Sequence, residues 1–314
     1  MMTIDHSSPE PSYHKTLIVV AGPTAIGKTG VAIQLARQFN TAILSADSRQ
    51  FYRELKIGTA APTASEKALA PHYFCGHLSI RDTYNISRFE NDALELLEKL
   101  FSTHDFVVMT GGSGLYIDAV CKGIDDLPGA DTEIRRKVDE AYREQGIAYL
   151  QNELRRLDPD YFSRVDKSNP NRMKRAIEVC LSTGKTFSSF RIQAEKPRPF
   201  QIVKTGLNRP RHELFRSIGR RTDQMIMDGL VDEAKSLLRF RHLNALNTVG
   251  YKEIFSYLDG DMTLDQAVEK IKTSTRRYAR RQLTWFKKDK EIRWFMPENV
   301  EDMIRYINHK SQRT

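Results

Sequence analysis

Eight residues near the amino terminus, GPTAIGKT at 22–29, have the types and spacing to hold a polyphosphate. They fit G-x-x-x-x-G-K-[ST], a loop that aims backbone N–H groups at an anion. Gly22, Pro23, Thr24, Ala25, Ile26 and Gly27 make the turn, and Lys28 and Thr29 open the next helix. Lys28 adds a point charge on the phosphates, and the Thr29 hydroxyl is the residue type that holds Mg2+ there. A second group is Asp47, Ser48, Arg49 and Gln50. A carboxylate beside a phosphate loop suits a Mg2+ partner or a general base, and a cap on the following turn is the structural alternative.

The elements that must position these residues follow from hydrophobic periodicity. An apolar strand over 17–21 precedes the loop, and a helix with Val31, Ile33, Leu35 and Phe39 apolar follows it. A second strand over 42–46 ends at Asp47, and Phe89, Ala93, Leu96, Leu97 and Leu100 mark an amphipathic helix over 86–101. A buried strand over 106–109 runs into TGGSGLY at 110–116, a second glycine turn. The alternation predicts an α/β fold: a P-loop NTPase-like core with a parallel sheet flanked by helices. Ligands in such sheets sit beyond the carboxyl ends of strands, where the first loop, Asp47 and the second glycine turn converge. An ATPase strand ending in Asp-Glu is missing, since the third strand ends in Thr110, Gly111, Gly112 and Ser113. That argues against simple ATP hydrolysis.

Beyond residue 125 the pattern becomes helical over 132–145, 147–157 and 170–183, with Asp131 or Thr132 as a helix cap. From Tyr161 to Arg198, nine Lys/Arg face three Asp/Glu, which reads as a basic helical insertion. A strand over 200–207 returns the chain to the sheet. Helices over 211–258 break near Gly229 and between His242 and Gly250. The last long helix, 263–288, has Ile271, Tyr278 and Trp285 on its expected core face. Arg276, Arg280 and Lys287 lie roughly opposite, and Arg277, Arg281 and Lys288 flank them. A short strand over 292–295 ends the pattern. The expected organisation is a flexible leader (1–15), a core (16–125 and 200–314) and a helical insertion domain (126–199).

The formal charge of +9 and pI near 9.4 favour a polyanionic partner. Cys75, Cys121 and Cys180 are widely spaced, so neither a zinc site nor a disulfide framework suggests itself, and a cytoplasmic setting follows. The polar start has no signal-peptide core, and no run of eighteen apolar residues occurs. His72 and His77 lack metal spacing and read as structural, and Met225 and Met227 are expected to pack in the core or a pocket wall.

Taken together, GPTAIGKT (22–29), ADSRQFY (46–52), IGTAAP (57–62), GGSGLY (111–116), NRMKRAIEV (171–179), GLVDEA (229–234), VGYKE (249–253) and RRQLTWFKK (280–288) carry a resemblance. In consistent order over about residues 16–295, they resemble the bacterial-type tRNA dimethylallyltransferase family, also called tRNA isopentenyltransferase. The resemblance implies transfer of a five-carbon group from dimethylallyl diphosphate to N6 of the adenosine 3′-adjacent to the anticodon. It implies that Gly22 to Thr29 hold the diphosphate, with Lys28 and Arg221 neutralising the leaving group. Thr24 would stand against the bridging oxygen, Thr29 would bind Mg2+, and Asp47 would accept the amine proton. Asp47 to Gln50, Ser113, Arg135, Asn171, Arg172, Met173, Lys174 and Arg175 would contact the tRNA anticodon stem-loop. Asn247, Thr248, Val249, Gly250, Tyr251 and Lys252 complete that implied set. Trp285 reads as scaffold rather than a stacking platform. Ile26 departs from the small residue the family often has there, and nothing at the carboxyl end resembles the zinc finger of some eukaryotic relatives. A monomer without a membrane segment is expected.

Three rival readings stand beside this one. Prenyl transfer to free AMP or ADP would leave the insertion without a use, and a small-molecule kinase would need an adenine pocket. A non-catalytic RNA-binding module would leave the phosphate loop and Asp47 unexplained.

Overall fold

A computed structural model of the chain describes residues 14–129, 131–191 and 195–312. Most of the expected leader lies outside them, but its end is tied down: Lys15 Nζ donates to Asp105 (2.9 Å), and the His14 N–H donates to Ser311 O (3.1 Å).

The chain opens with β1 (Thr16–Ala21), α1 (Lys28–Gln38), β2 (Ile43–Ser45) and α2 (Ala64–Leu69). It continues through β3 (His72–Tyr73), α3 (Ile86–Phe101), β4 (Phe106–Gly111) and α4 (Gly114–Lys122). Helices α5 (Thr132–Leu157), α6 (Pro159–Arg164), α7 (Pro170–Thr183) and α8 (Phe187–Phe190) follow. Strand β5 (Gln201–Leu207) leads to α9 (Arg211–Met227), α10 (Leu230–Leu237) and α11 (Tyr251–Leu258). Helix α12 (Leu264–Phe286), β6 (Arg293–Phe295) and α13 (Val300–Ser311) end the order. The six strands form one sheet in the order β3-β2-β4-β1-β5-β6, parallel at every pairing.

All six residues of β1 are buried, because helices cover both faces of the sheet. Its alternate side chains divide between two cores. Leu17, Val19 and Ala21 join α3, α10, α11 and the first half of α12, while Ile18 and Val20 join α1, α9 and α13. The α/β core expected from the sequence is the one that forms. The two-residue β3 is too short to show a period, and α13 was not anticipated.

Helix α12 turns differently from expectation. Its buried stripe is Ala267, Ile271, Thr275, Ala279, Gln282 and Phe286. Tyr278 is only half-buried, and Trp285 is 37% exposed with its indole N–H donating to Asp118 (2.9 Å). The buried positions 267, 271, 275 and 279 recur every four residues and advance about 40° a step, whereas residues seven apart fall back by about 20°, so the stripe moves away from Tyr278 and Trp285. Met225 packs as expected, but Met227 is 72% exposed at the end of α9.

The chain divides into two compact units: one joins the residues up to Cys121 with those from Arg198 onward, and the other is Lys122–Pro197. The second unit builds its own core from Val138, Leu150, Leu154, Tyr161, Met173 and Ile177, among others. Asp131 caps α5 by accepting from the Glu133 and Ile134 N–H groups, and Gly146 breaks that helix where the sequence separates two. Buried Asp158 accepts from Tyr161 N (2.9 Å) and Ser188 N (2.6 Å), joining α6 to α8. Over the whole unit, 15 Lys/Arg meet 13 Asp/Glu, so the basic excess of 161–198 does not extend across it. Acids from its first half take up the cations, as in Lys174–Asp139 (2.6 Å) and Lys196–Asp126 (2.9 Å).

In the larger unit, Arg198 opens the return to β5 as a buried cation. Its Nη2 donates to Glu90 (2.7 Å) and Ala119 O, and its Nε donates to Val120 O at the end of α4. Glu90→Ala leaves this guanidinium buried without its counter-charge. The expected loss is about 3–5 kcal/mol, read from urea unfolding with an unchanged m-value.

Candidate active site

The phosphate loop leaves β1 and enters α1 through Gly27, whose φ of 101° places it in the left-handed region that a glycine adopts without strain. The N-terminus of α1 then points its unpaired N–H groups along the loop. Lys28 is half-buried, and its Nζ donates to Pro23 O (2.9 Å). Burial pulls its pKa down to about 8, Asp47 opposes that pull, and Arg221 adds to it. The Arg221 pKa is also lowered by burial, again opposed by Asp47. Arg221 Nη2 donates to Thr24 Oγ (2.5 Å), so α9 delivers a guanidinium onto the loop.

Asp47 makes the turn cap read from the sequence and also stands at open space. Its Oδ1 accepts from Arg49 N–H (3.0 Å), which caps the turn and orients the carboxylate. That carboxylate lines two cavities. The larger, about 1000 Å³, is walled by Thr24 to Thr29, Asp47, Gln50, Ile57 and Ala60. The smaller, about 500 Å³, is walled by Ser48, Arg49, Asn247 to Gly250, Lys252, Tyr278 and Arg281. Thr24, Asp47, Thr59, Arg221 and Met225 line both, so the cavities adjoin at these residues. The two cavities therefore share one carboxylate.

Around this point a polar network fixes the backbone. Ser113 Oγ accepts from Ser48 N–H and also pairs with Ser48 Oγ (both 3.2 Å). Gln50 Nε2 donates to Ala60 O (3.0 Å), and Arg49 Nη1 donates to Asn244 O (2.8 Å). Gln282 reaches the loop from α12: its Oε1 accepts from Thr24 N–H and its Nε2 donates to Gly112 O, each at 2.8 Å. Glu233 on α10 accepts from the Lys56, Ile57 and Gly58 N–H groups and from Tyr251 Oη (2.6 Å). The anion thereby holds the wall segment between the cavities.

Not every residue implied by resemblance has a surface to offer. Tyr251 and Met173 are fully buried, the first on Glu233 and the second in the core of the Lys122–Pro197 unit. In that unit Arg135 grips Glu178 through two hydrogen bonds (2.9 and 3.1 Å), Lys174 pairs with Asp139, and Arg175 donates to Pro128 O. Asn171 and Arg172 are exposed at the start of α7. Sequence reasoning missed Glu233, Gln282 and Tyr278 as parts of the site. Burial pushes the Tyr278 hydroxyl up to about 12, with Asp47 adding to the rise. A neutral amide on the buried face of α12, inside the quoted stretch 280–288, was the available signal for Gln282.

Among the described residues, no group of three His, Cys, Asp or Glu side chains is placed to hold a metal. Thr29 and Asp47 do offer a hydroxyl and a carboxylate on the larger cavity. Such hard oxygen donors suit Mg2+, which takes its remaining ligands from phosphates and water.

Comparison with known proteins places these features among relatives. The family described as IPP transferase matches residues 50–289. "tRNA dimethylallyltransferase 1" of Bacteroides thetaiotaomicron is 54% identical over 292 residues, covering 93% of this chain and 95% of that protein. The full-length tRNA isopentenylpyrophosphate transferase of Bacillus halodurans is 32% identical, with a TM-score of 0.70, covering 94% and 96% of the two chains. A eukaryotic dimethylallyltransferase described as acting on tRNA is 25% identical, with a TM-score of 0.73, covering 91% and 75%.

The partly desolvated Lys28 ammonium gives a pH dependence with a defined sign. Lys28 is charged below about 8, so affinity for inorganic diphosphate should fall through that pH relative to Lys28→Arg, which stays charged. Comparing the two proteins on one ligand by calorimetry cancels the ligand's own titration. The unfolded chain holds the proton up to about 10.4, so between about 8 and that value stability rises with pH.

Proposed function

The chain belongs to the IPP transferase family, and from that membership we propose that it is a tRNA-modifying prenyltransferase. In this reading it transfers a dimethylallyl group from dimethylallyl diphosphate to N6 of the adenosine 3′-adjacent to the anticodon, releasing diphosphate. The observation that carries the reading is the pair of adjoining cavities sharing Thr24, Asp47 and Arg221, one walled by the loop from Thr24 to Thr29 and one that meets the loop at Thr24 alone.

The diphosphate would rest on the loop N–H groups and Lys28. A C–N bond forms at N6 as the C–O bond to diphosphate breaks, and the electron pair leaves on the bridging oxygen. Thr24 and Arg221 would stabilise that charge, in a site where burial strengthens each interaction. Asp47 would take the proton released by the amine, a contribution of roughly 10²–10⁴-fold. Thr29 would hold Mg2+, which supplies positive charge against the diphosphate when bound. The base must leave its stack to enter the smaller cavity, and Ser48, Arg49, 247–250 and Lys252 would line its approach. Asn171 and Arg172 would touch the anticodon stem-loop from α7. A cytoplasmic monomer goes with this reading, and no helix among the described residues is long and apolar enough to cross a membrane.

Radiolabelled dimethylallyl diphosphate, offered with unmodified tRNA or with AMP, separates the main readings. Label in tRNA alone is expected, and label in AMP would replace the proposed acceptor with a free nucleotide. Asp47→Ala should lose about 10²–10⁴ in kcat while still binding tRNA, and near-normal turnover would end the general-base role. Arg172→Ala should weaken tRNA binding and lower its salt slope by about 1, with diphosphate affinity unchanged.

A further inference from the structure

We propose that Gln282 is a positioning residue, whose amide sets the phosphate loop so that the Thr24 hydroxyl stands against the leaving oxygen. The inference rests on the reading of Thr24 given above. Gln282 is 5% exposed on the buried stripe of α12, where its neighbours Ala279 and Phe286 are apolar. An aliphatic side chain would satisfy packing at such a position. The amide instead places its oxygen on Thr24 N–H and its nitrogen on Gly112 O, each at 2.8 Å. Both partners are main-chain groups of the two glycine turns that form the site.

Two further observations fit a positioning role. A Cβ built on Gly112 would lie 2.1 Å from Gln282 Nε2, so the second glycine turn leaves the space the amide occupies. The same Thr24 that gives its N–H to Gln282 receives Arg221 on its hydroxyl (2.5 Å). Fixing the N–H limits the backbone rotation of Thr24 and hence the direction of its Oγ. Helix α12 also carries Tyr278 and Arg281 into the smaller cavity. One rigid element thus references the donor loop to the acceptor wall, and a displacement of the order of 1 Å there is enough to cost about 100-fold in rate.

The test is a double-mutant cycle on kcat under saturating tRNA and dimethylallyl diphosphate. Gln282→Leu should lower kcat by about 100-fold. In a Thr24→Val enzyme, already slow, the same change should cost less than about threefold, because the hydroxyl it positions is gone. Gly112→Ala displaces the amide without altering α12 and should repeat both results. A structural role alone would give the same factor with and without the Thr24 hydroxyl. That outcome, or wild-type kcat in Gln282→Leu, overturns the proposal while Thr24 keeps its role. Wild-type kcat in Thr24→Val would instead remove the reading of Thr24, and the proposal with it.

Discussion

Two partly buried cations share one carboxylate, and the site is arranged around that imbalance. Lys28 and Arg221 both have their pKa values lowered by burial, and Asp47 offsets only part of the desolvation. Two positive charges against one negative leave a cavity that is completed electrostatically by an anion. The phosphate loop, the N-terminus of α1 and the cleft beyond the strands all place donors toward that missing charge. The protein can hold such a cluster only because the sheet beneath it is buried on both faces and each wall is fixed elsewhere.

Fixation comes from polar groups that do no chemistry themselves. Glu233 gathers three N–H groups of the 56–58 segment and the Tyr251 hydroxyl, so α10 and α11 share one anchor. Burial and the adjacent Glu233 carboxylate raise the Tyr251 pKa, so this phenol is a donor at any ordinary pH. Arg198 performs a comparable task where the chain returns to the sheet, binding Glu90 and two carbonyls that end α4. The two cavities meet where such anchors surround Asp47, and their adjacency depends on secondary contacts as much as on the reactive residues.

Some of this was legible in the sequence because backbone chemistry restricts residue choice. A loop needing φ near 100° before a helix selects glycine at 27, and an all-buried strand reads as the apolar run 17–21. The amphipathic period of α3 places it at Ile86–Phe101, as the sequence reading has it. What stayed hidden depends on contacts between distant segments. The face of α12 was misread because a seven-residue spacing resembles a seam on a helix that is straight. The cations of 161–198 looked free because their partners, Asp125, Asp126 and Asp139, precede them in another part of the unit. Glu233 and Gln282 lie inside the stretches 229–234 and 280–288, but their roles stayed hidden because most of their partners are main-chain groups, which carry no sequence signature.

The interrupted build of the larger unit constrains how the chain can assemble. Strand β1 has β4 on one side, available once residue 111 is made, but its other neighbour is β5, in register from Thr16 with Gln201. Between them the chain makes the whole of Lys122–Pro197, whose helices contact one another locally and need nothing from the sheet's register. Local helical contacts form early, and long-range parallel pairings form late. During synthesis the central strand therefore emerges with an unpaired edge of buried-type residues, exposed until the later segment arrives. A chain of this design has most need of protection from aggregation after its helical excursion is complete and before its sheet is closed.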